Sequence, residues 1–280
     1  MPDKVRSPIA TGIFYSENGK KLKKSIKFLL KSVKNDEQIK DNLKNIKGAV
    51  VPHAGYIYSG KTAAHVYNLL KEKNDFDLFV IFGANHSEYN NLIISLNDFE
   101  TPLGIVKNSN LTKKIFEKAK KTGINIVEGG AREHSIEVQL PFLQTAINKE
   151  FEIIPILIRD INVQECKKIV EIIYNKVKGK KVFVLASSDF THFGAGYGYL
   201  DKNFEKYDKE AIEKIKNLNS NEFLKIAKKT TICGVSAIIC CIEFVKLLGA
   251  EKGVLLDFTN SSKISGDKSQ IVDYAGIVFE

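Results

Sequence analysis

Tryptophan is missing from this sequence altogether, and arginine nearly so: of 42 basic residues only Arg6, Arg132 and Arg159 are arginines. A nucleic-acid surface concentrates its positive charge in a stripe, often arginine-rich and interleaved with exposed aromatics. Here the lysines are spread as KKLKKSIK and KVKGKK, with acids between them elsewhere, so the formal charge of +9 reads as a solvated lysine coat. Nucleic acid is not an expected partner. Lysine and glutamate enrichment with so little arginine fits a thermophilic chain. The four cysteines, Cys166, Cys233, Cys240 and Cys241, form no C-x-x-C pair, which removes zinc-knuckle and thioredoxin-type readings. No apolar run approaches the roughly 20 residues that span a bilayer. The start, MPDKVRSPIATG, lacks the apolar segment of a secretory signal. The expectation is a cytoplasmic chain with no membrane partner. G-x-S-x-G, P-loop and dinucleotide patterns are absent too, so neither a serine elbow nor a bound nucleotide is expected.

What is present is an ordinary globular balance, 44% apolar and 27% charged, in 280 residues. Strand-like and helix-like stretches alternate. IKGAVVP (46–52), DLFVIFGANH (77–86), FEIIPILI (151–158) and KVFVLASS (181–188) read as buried strands. Helical spacing covers 22–33, 60–70, 110–121 and 163–177, polar helices span roughly 203–229, and an apolar helix begins at about 232. A further helix is expected to start near Glu133 after Gly129-Gly130, with a kink or restart at Pro141. The pieces at 92–106, 253–259 and 274–279 are too closely spaced for parallel crossovers and are expected as antiparallel strands. The whole of 1–280 therefore reads as one α/β domain with a mixed, mostly parallel sheet flanked by helices. Nothing in the pattern excludes a homo-oligomer.

The carboxyl ends of the buried strands carry the chemistry. In an open α/β sheet ligands bind at that edge. His53 follows the first strand, His86 the second, and Asp189 and His192 the fourth; Glu133 and His134 open the segment after the double glycine. Four of the five histidines thus stand at junctions, and His65, inside a helix, reads as structural. Such a set points to metal coordination. Imidazoles favour zinc, iron, copper or nickel, and two histidines with one anionic ligand leave positions for water or substrate. His53 and His86 are the best imidazole ligands, and the anion is Cys233, Glu133 or Asp189. Cys233 lies at the expected N-terminus of the apolar helix, where a thiol pKa is lowered; the bland alternative is a buried structural thiol. Asp189, three residues from His192, is expected to orient that imidazole as a general acid or base. Tyr56, Tyr58, Tyr197 and Tyr199 are candidates to line the cleft.

The runs PHAGYIYSG (52–60), FGANH (82–86), TPLG (101–104), EHSIEVQLPFL (133–143), SSDFTH (187–192) and TICG (231–234) occur in order along nearly the whole chain. On them the sequence is identified as a member of the Memo family. The resemblance implies the fold of class III extradiol dioxygenases, in which two histidines and a glutamate hold Fe(II) and another histidine moves protons. It implies a pocket of His53, His86 and Cys233, with Asp189 and His192 beside it. Cysteine stands where those dioxygenases have glutamate, which argues against ring cleavage and softens the site towards copper or zinc besides iron. The resemblance further implies a metal-dependent oxidoreductase or, alternatively, a non-catalytic module binding a peptide or small anion in the same cleft. A zinc-assisted hydrolase is the third reading. Radical-SAM and AMMECR-type proteins, found fused to or beside microbial relatives, are the implied partners.

Overall fold

The computed structural model describes residues 5–34, 43, 45–73 and 75–280. Its strands are β1 (Val5–Arg6), β2 (Gly48–Val51), β3 (Leu78–Ala84), β4 (Leu92–Ile94), β5 (Asp98–Thr101) and β6 (Gly104–Asn108), then β7 (Val127–Glu128), β8 (Glu152–Ile158), β9 (Val182–Ser187), β10 (His192–Gly194), β11 (Gly253–Asn260) and β12 (Gln270–Phe279). The helices are α1 (Gly19–Ser32), α2 (Tyr56–Lys73), α3 (Asn110–Lys121), α4 (Leu140–Ala146), α5 (Val163–Val177), α6 (Phe204–Lys216), α7 (Ser220–Ala227), α8 (Val235–Leu247) and the short α9 (Ser262–Ser265). No described helix is long and apolar enough to cross a membrane.

A run as apolar as LFVIFGA is stable only where both faces of the strand are covered. β3 accordingly lies in the middle, parallel to β8 on one side and to β9 on the other, with β2 parallel to β9 beyond. Side-chain alternation divides these strands between two cores. Val80, Phe82, Ile154, Ile156 and Val184 join the core that contains α5 and α8; Phe79, Ile81, Ile153, Phe183 and Leu185 join the one under α1, α2 and α4. Each such side chain contributes roughly 1.5–3 kcal/mol by its burial. Antiparallel strands finish the margins: β12 on β2, β10 and β11 on β12, β4 on β8, and β5 on β6. The sheet is mixed, its centre is parallel, and helices cover both faces.

The periodicity places α3 and α5 at their observed residues. Two segments depart from it. α2 begins at Tyr56, four residues before the expected start, because Gly60 is an interior position where two helices approach closely. A Cβ on Gly60 would meet Leu29 Cδ1 of α1 at 2.9 Å. Glu133 and His134 do not open a helix either. They stand in a turn, followed by a single 3₁₀ turn at Glu137–Gln139, and the α-helix starts at Leu140. Pro141 lies in that helix's first turn, where its missing N–H costs no hydrogen bond. The restart expected at Pro141 is therefore present.

Because β2, β3 and β9 are mutually aligned, their carboxyl ends leave the sheet at one edge. The residues that follow, His53, His86 and Asp189, are delivered there together.

Candidate metal centre

His53 is buried and its ring is fixed from below. Ser187 Oγ donates its hydrogen to the Ser135 carbonyl at 2.6 Å and accepts one from Gln139 Nε2 at 2.8 Å. Its remaining lone pair faces His53 Nδ1 at 3.1 Å, so Nδ1 is the donor and Nε2 is left for the cleft. His86 and His134 are held in the same manner by one carboxylate. Glu133 Oε1 lies 3.1 Å from Nδ1 of each ring. The two rings stack with centroids 5.1 Å apart, and both meet His53 edge-on at 5.2 and 5.4 Å. One nitrogen from each of the three histidines lies within 4.8 Å of the others. With every Nδ1 engaged, Nε2 is the nitrogen each ring has to offer.

Glu133 was one candidate for the anionic ligand. Its oxygens also accept the backbone N–H groups of His86 (2.6 Å), His134 (2.8 Å) and Ser135 (3.0 Å), so it is saturated and orients ligands instead. Burial works against its charge, but the His134 and His86 hydrogen bonds outweigh it and hold the carboxyl far below the usual range.

The thiol is Cys233, just ahead of Gly234, the residue that caps α8. Its Sγ lies 3.3 Å from His53 Nε2 and accepts the Asp189 N–H at 3.2 Å. Burial favours the neutral thiol. The charge and hydrogen bond of His53, then the hydrogen bond of His86, overcome it and bring Cys233 down to about 5. At neutral pH it is a thiolate. His86 responds in the opposite sense: burial opposes its cation, but Cys233 and Glu133 raise it to about 10. His53 is raised for similar reasons, with Cys233 and Asp189 outweighing its burial. By contrast Cys166, Cys240 and Cys241 are buried in the apolar cores, and burial pushes the Cys241 thiol up.

Two glycines permit these approaches. A Cβ at Gly83 would meet Ser135 Oγ at 2.5 Å and Ile136 Cγ1 at 2.7 Å, so only glycine lets the Glu133–Ile136 turn press onto β3. A Cβ at Gly234 would meet Ser188 Cβ at 2.5 Å, so glycine there seats the Cys233 turn against β9. The turn carrying His134 is also held from the N-terminal segment. Arg6 donates to Glu137 (2.6 Å), to the Glu133 carbonyl (2.6 Å) and to the Gly130 carbonyl (3.2 Å). Glu137 in turn accepts from the backbone of Ala10 (2.8 Å) and from Tyr15 Oη (2.5 Å). Phe14, carried by this segment, packs on His134 with centroids 4.5 Å apart.

Asp189 and His192 both line the cleft, but Asp189 does not orient His192. Asp189 Oδ1 accepts the N–H of His53 (2.8 Å) and Ala54 (3.3 Å), and His192 Nδ1 engages the Phe190 carbonyl at 3.1 Å. With Nδ1 committed to a carbonyl, His192 turns Nε2 to the cleft, its ring edge-on to Tyr197 at 5.2 Å. The cleft is about 660 Å³, lined by Phe14, Tyr58, His192, Tyr197, Gln270 and Tyr274 above the histidines. Tyr56 does not belong to it: the ring is buried against Phe142 and its hydroxyl donates to the Val138 carbonyl. Tyr199 donates to the Lys229 carbonyl instead. His65 lies in α2, outside the cluster.

Sequence reasoning had named His134 as a cleft residue, not as one of three converging imidazoles. It had missed Ser187, Gln139, Glu137 and Arg6 as supports. The available signal was polarity out of place, since Glu137 and Gln139 interrupt an otherwise apolar IEVQLPFL.

The donor set fits a transition metal. Three oriented imidazoles and an adjacent thiolate are the ligands that iron, copper and zinc accept, and a hard cation would need oxygen.

Comparison with known proteins places the sequence in a family and agrees with the fold. A family model described as Memo-like protein matches residues 6–278. A MEMO1 family protein from Methanosarcina barkeri is 37% identical over 286 residues, covering 99% of this chain and 100% of that one. Another from Aquifex aeolicus is 34% identical, covering 99% of each, and one from Nitrosopumilus maritimus is 33% identical, covering 98% of this chain and 99% of its own. Among solved structures, an uncharacterized protein of Escherichia coli K12 shares the fold at a TM-score of 0.51 and 10% identity, covering 84% of this chain and all of that one. With a family model spanning residues 6–278 and relatives aligned end to end, this chain belongs to the Memo family.

Proposed function

We propose that the chain is a metal-dependent oxidoreductase whose cleft holds one iron or copper ion on His53, His86 and His134, with the Cys233 thiolate as the anionic donor. The observation that supports it most is the convergence of three histidine nitrogens within 4.8 Å of one another on the wall of a 660 Å³ cleft, with the Cys233 sulfur 3.3 Å from His53 Nε2. When bound, such a metal would supply one-electron chemistry at a position open to the cleft. The chain's own residues do the remainder. Glu133 and Ser187 keep three rings turned inward. Asp189 fixes the His53 backbone. His192 presents Nε2 to the cleft and is placed to accept or return a proton on a substrate held there. Tyr58, Tyr197 and Tyr274 give the wall an aromatic lining suited to a small, flat molecule.

Anaerobic loading with Fe(II), Cu(I) or Zn(II), followed by metal analysis, tests the ligand set. About one ion per chain is expected, with loss of that ion in a His53→Ala/Cys233→Ala double variant. Undiminished metal in the double variant refutes the site. Oxygen uptake by the iron- or copper-loaded protein with a panel of catechols and other reductants tests the activity; metal retention without turnover would favour a binding module, and activity confined to the zinc form would favour hydrolysis.

A further inference from the structure

Behind the cleft, away from the histidine cluster, two acids are fully buried against each other. Asp208 on α6 and Asp273 on β12 each have no exposed surface, and their carboxyl groups face one another. Asp208 is well used: Oδ1 accepts the Thr191 hydroxyl at 2.7 Å and Oδ2 the Thr191 N–H at 3.0 Å. Asp273 grips the same loop through its backbone, accepting from Phe190 N at 2.8 Å and donating to the Thr191 carbonyl at 3.0 Å. Its side chain is the anomaly. Neither of its oxygens has a well-formed hydrogen bond from a donor, and the one amide turned towards it is that of Asn260.

Buried polar atoms are rarely left unsatisfied, and two facing carboxylates in a dry interior cannot both ionise. No lysine or arginine is ion-paired with either acid among the described residues. The titratable groups turned towards the pair are His192 on β10, Glu205 on α6 and Tyr199, whose hydroxyl Asp208 helps to hold protonated, with the neutral Asn260 on β11. Glu205 adds negative charge, so the remedy has to be a proton. Both Asp208 oxygens already accept well-formed hydrogen bonds from Thr191, whereas Asp273 is approached by the Asn260 amide alone and keeps an oxygen free to become a donor. The proton therefore sits on Asp273 and is directed at Asp208. Burial first, and the Asp208 charge second, push Asp273 up to about 9.

We propose that Asp208 and Asp273 share one proton and serve as a positioning pair, fixing through Thr191 where Asp189 and His192 stand in the cleft. Thr191 separates those residues by one position on one side and lies directly before His192 on the other. All of its backbone and hydroxyl hydrogen bonds go to the two acids. The inference rests on reading the Asp189–His192 loop as part of the functional site, but not on any bound metal.

Three measurements on the metal-free full chain test it. Infrared spectra at neutral pH should contain a protonated-carboxyl C=O band that Asp273→Asn removes. Absence of a band sensitive to that substitution overturns the proposal. In the wild type the His192 ring resonances should shift again as the pair loses its proton near pH 9. Asp273→Asn, whose amide donates at every pH, should abolish that alkaline shift while leaving the neutral-pH resonance position intact. Thr191→Val should uncouple His192 from the pair and Thr191→Ser should restore the coupling. An alkaline His192 shift that persists unchanged in Asp273→Asn, or in Thr191→Val, refutes the positioning role. Metal content enters none of these readouts, so failure of the metal assignment would leave them standing.

Discussion

Replacing Asp273 with asparagine should make the protein more stable than the wild type, by an amount that grows with pH. The unfolded carboxyl titrates near 3.8, whereas the folded pair keeps its proton to about 9. Between those values the folded chain holds one proton more than the unfolded chain. The unfolding free energy then falls as pH rises, with a slope of about 1.4 kcal/mol per pH unit for one proton. The sign follows from the raised pKa of an acid: its contribution is most favourable below the unfolded value and is lost progressively until the folded value is passed. From about pH 6 to about pH 8 this one group should remove roughly 2.7 kcal/mol from the wild type and nothing from Asp273→Asn. A coupled pair titrates as a unit, so the slope in this window belongs to the Asp208–Asp273 pair and not to either carboxyl alone. The assay is reversible denaturant unfolding of both proteins, metal-free, at several pH values, comparing midpoints at equal m. Other titrating groups, His86 and Cys233 among them, cancel in the difference. Parallel stability curves for the two proteins would refute the shared proton, because a carboxylate ionised in both states contributes no slope.

Glu137→Ala should destabilise the fold by about 3–5 kcal/mol, since it leaves the Arg6 guanidinium buried without its charge partner; chemical denaturation measures this, and a loss below about 1 kcal/mol would contradict the buried pair. Metal uptake near neutral pH should release at least one proton, because His86, raised to about 10, must give up its imidazolium while Cys233, lowered to about 5, is already ionised. Apparent affinity should therefore climb with pH until His86 has titrated, and calorimetry in buffers of different ionisation enthalpy reads the proton count; zero release would be inconsistent with His86 as a ligand. Gly83→Ala should cost about 1–3 kcal/mol and weaken metal binding, by driving Ser135 and the His134 turn off β3. Gly123→Ala, at an open position with φ of +79°, provides the comparison: a stability loss of about 1 kcal/mol with metal binding unchanged.

Much of the fold was legible because buried parallel strands leave unmistakable apolar runs, and their ends mark an edge. His53 and His86 were readable for that reason: each ends such a run beside a glycine. Cys233 was readable from its place ahead of an apolar helix. His134 was harder, since the apolar spacing of 136–143 is compatible with a helix begun at Glu133. The competing fact is Glu133 itself, whose side chain satisfies the N–H groups of His134 and Ser135 and stabilises a turn instead. Asp189 and His192 misled because a three-residue spacing pairs side chains dependably only on a helix, and here each is committed to a backbone partner, the His53 N–H and the Phe190 carbonyl. Asp208 and Asp273 carried no local signal. One is a polar residue in an amphipathic helix and the other a lone acid in an apolar strand, and their meeting depends on the packing of α6 against β12.

The sequence distances between the groups of this site bear on when it can exist during synthesis. Cys233 meets His53 across 180 residues, and Arg6 meets Glu137 across 131. Thr191 is gripped by Asp273, a further 40 positions beyond Cys233. A nascent chain that has made all three histidine ligands still lacks the thiolate, and one that has reached Cys233 still lacks the acid that fixes its cleft loop. With the ligand set proposed above, selective metal loading waits until residue 273 has been made and folded onto the sheet, and chains truncated before Asp273 should be metal-poor even where their histidines are intact.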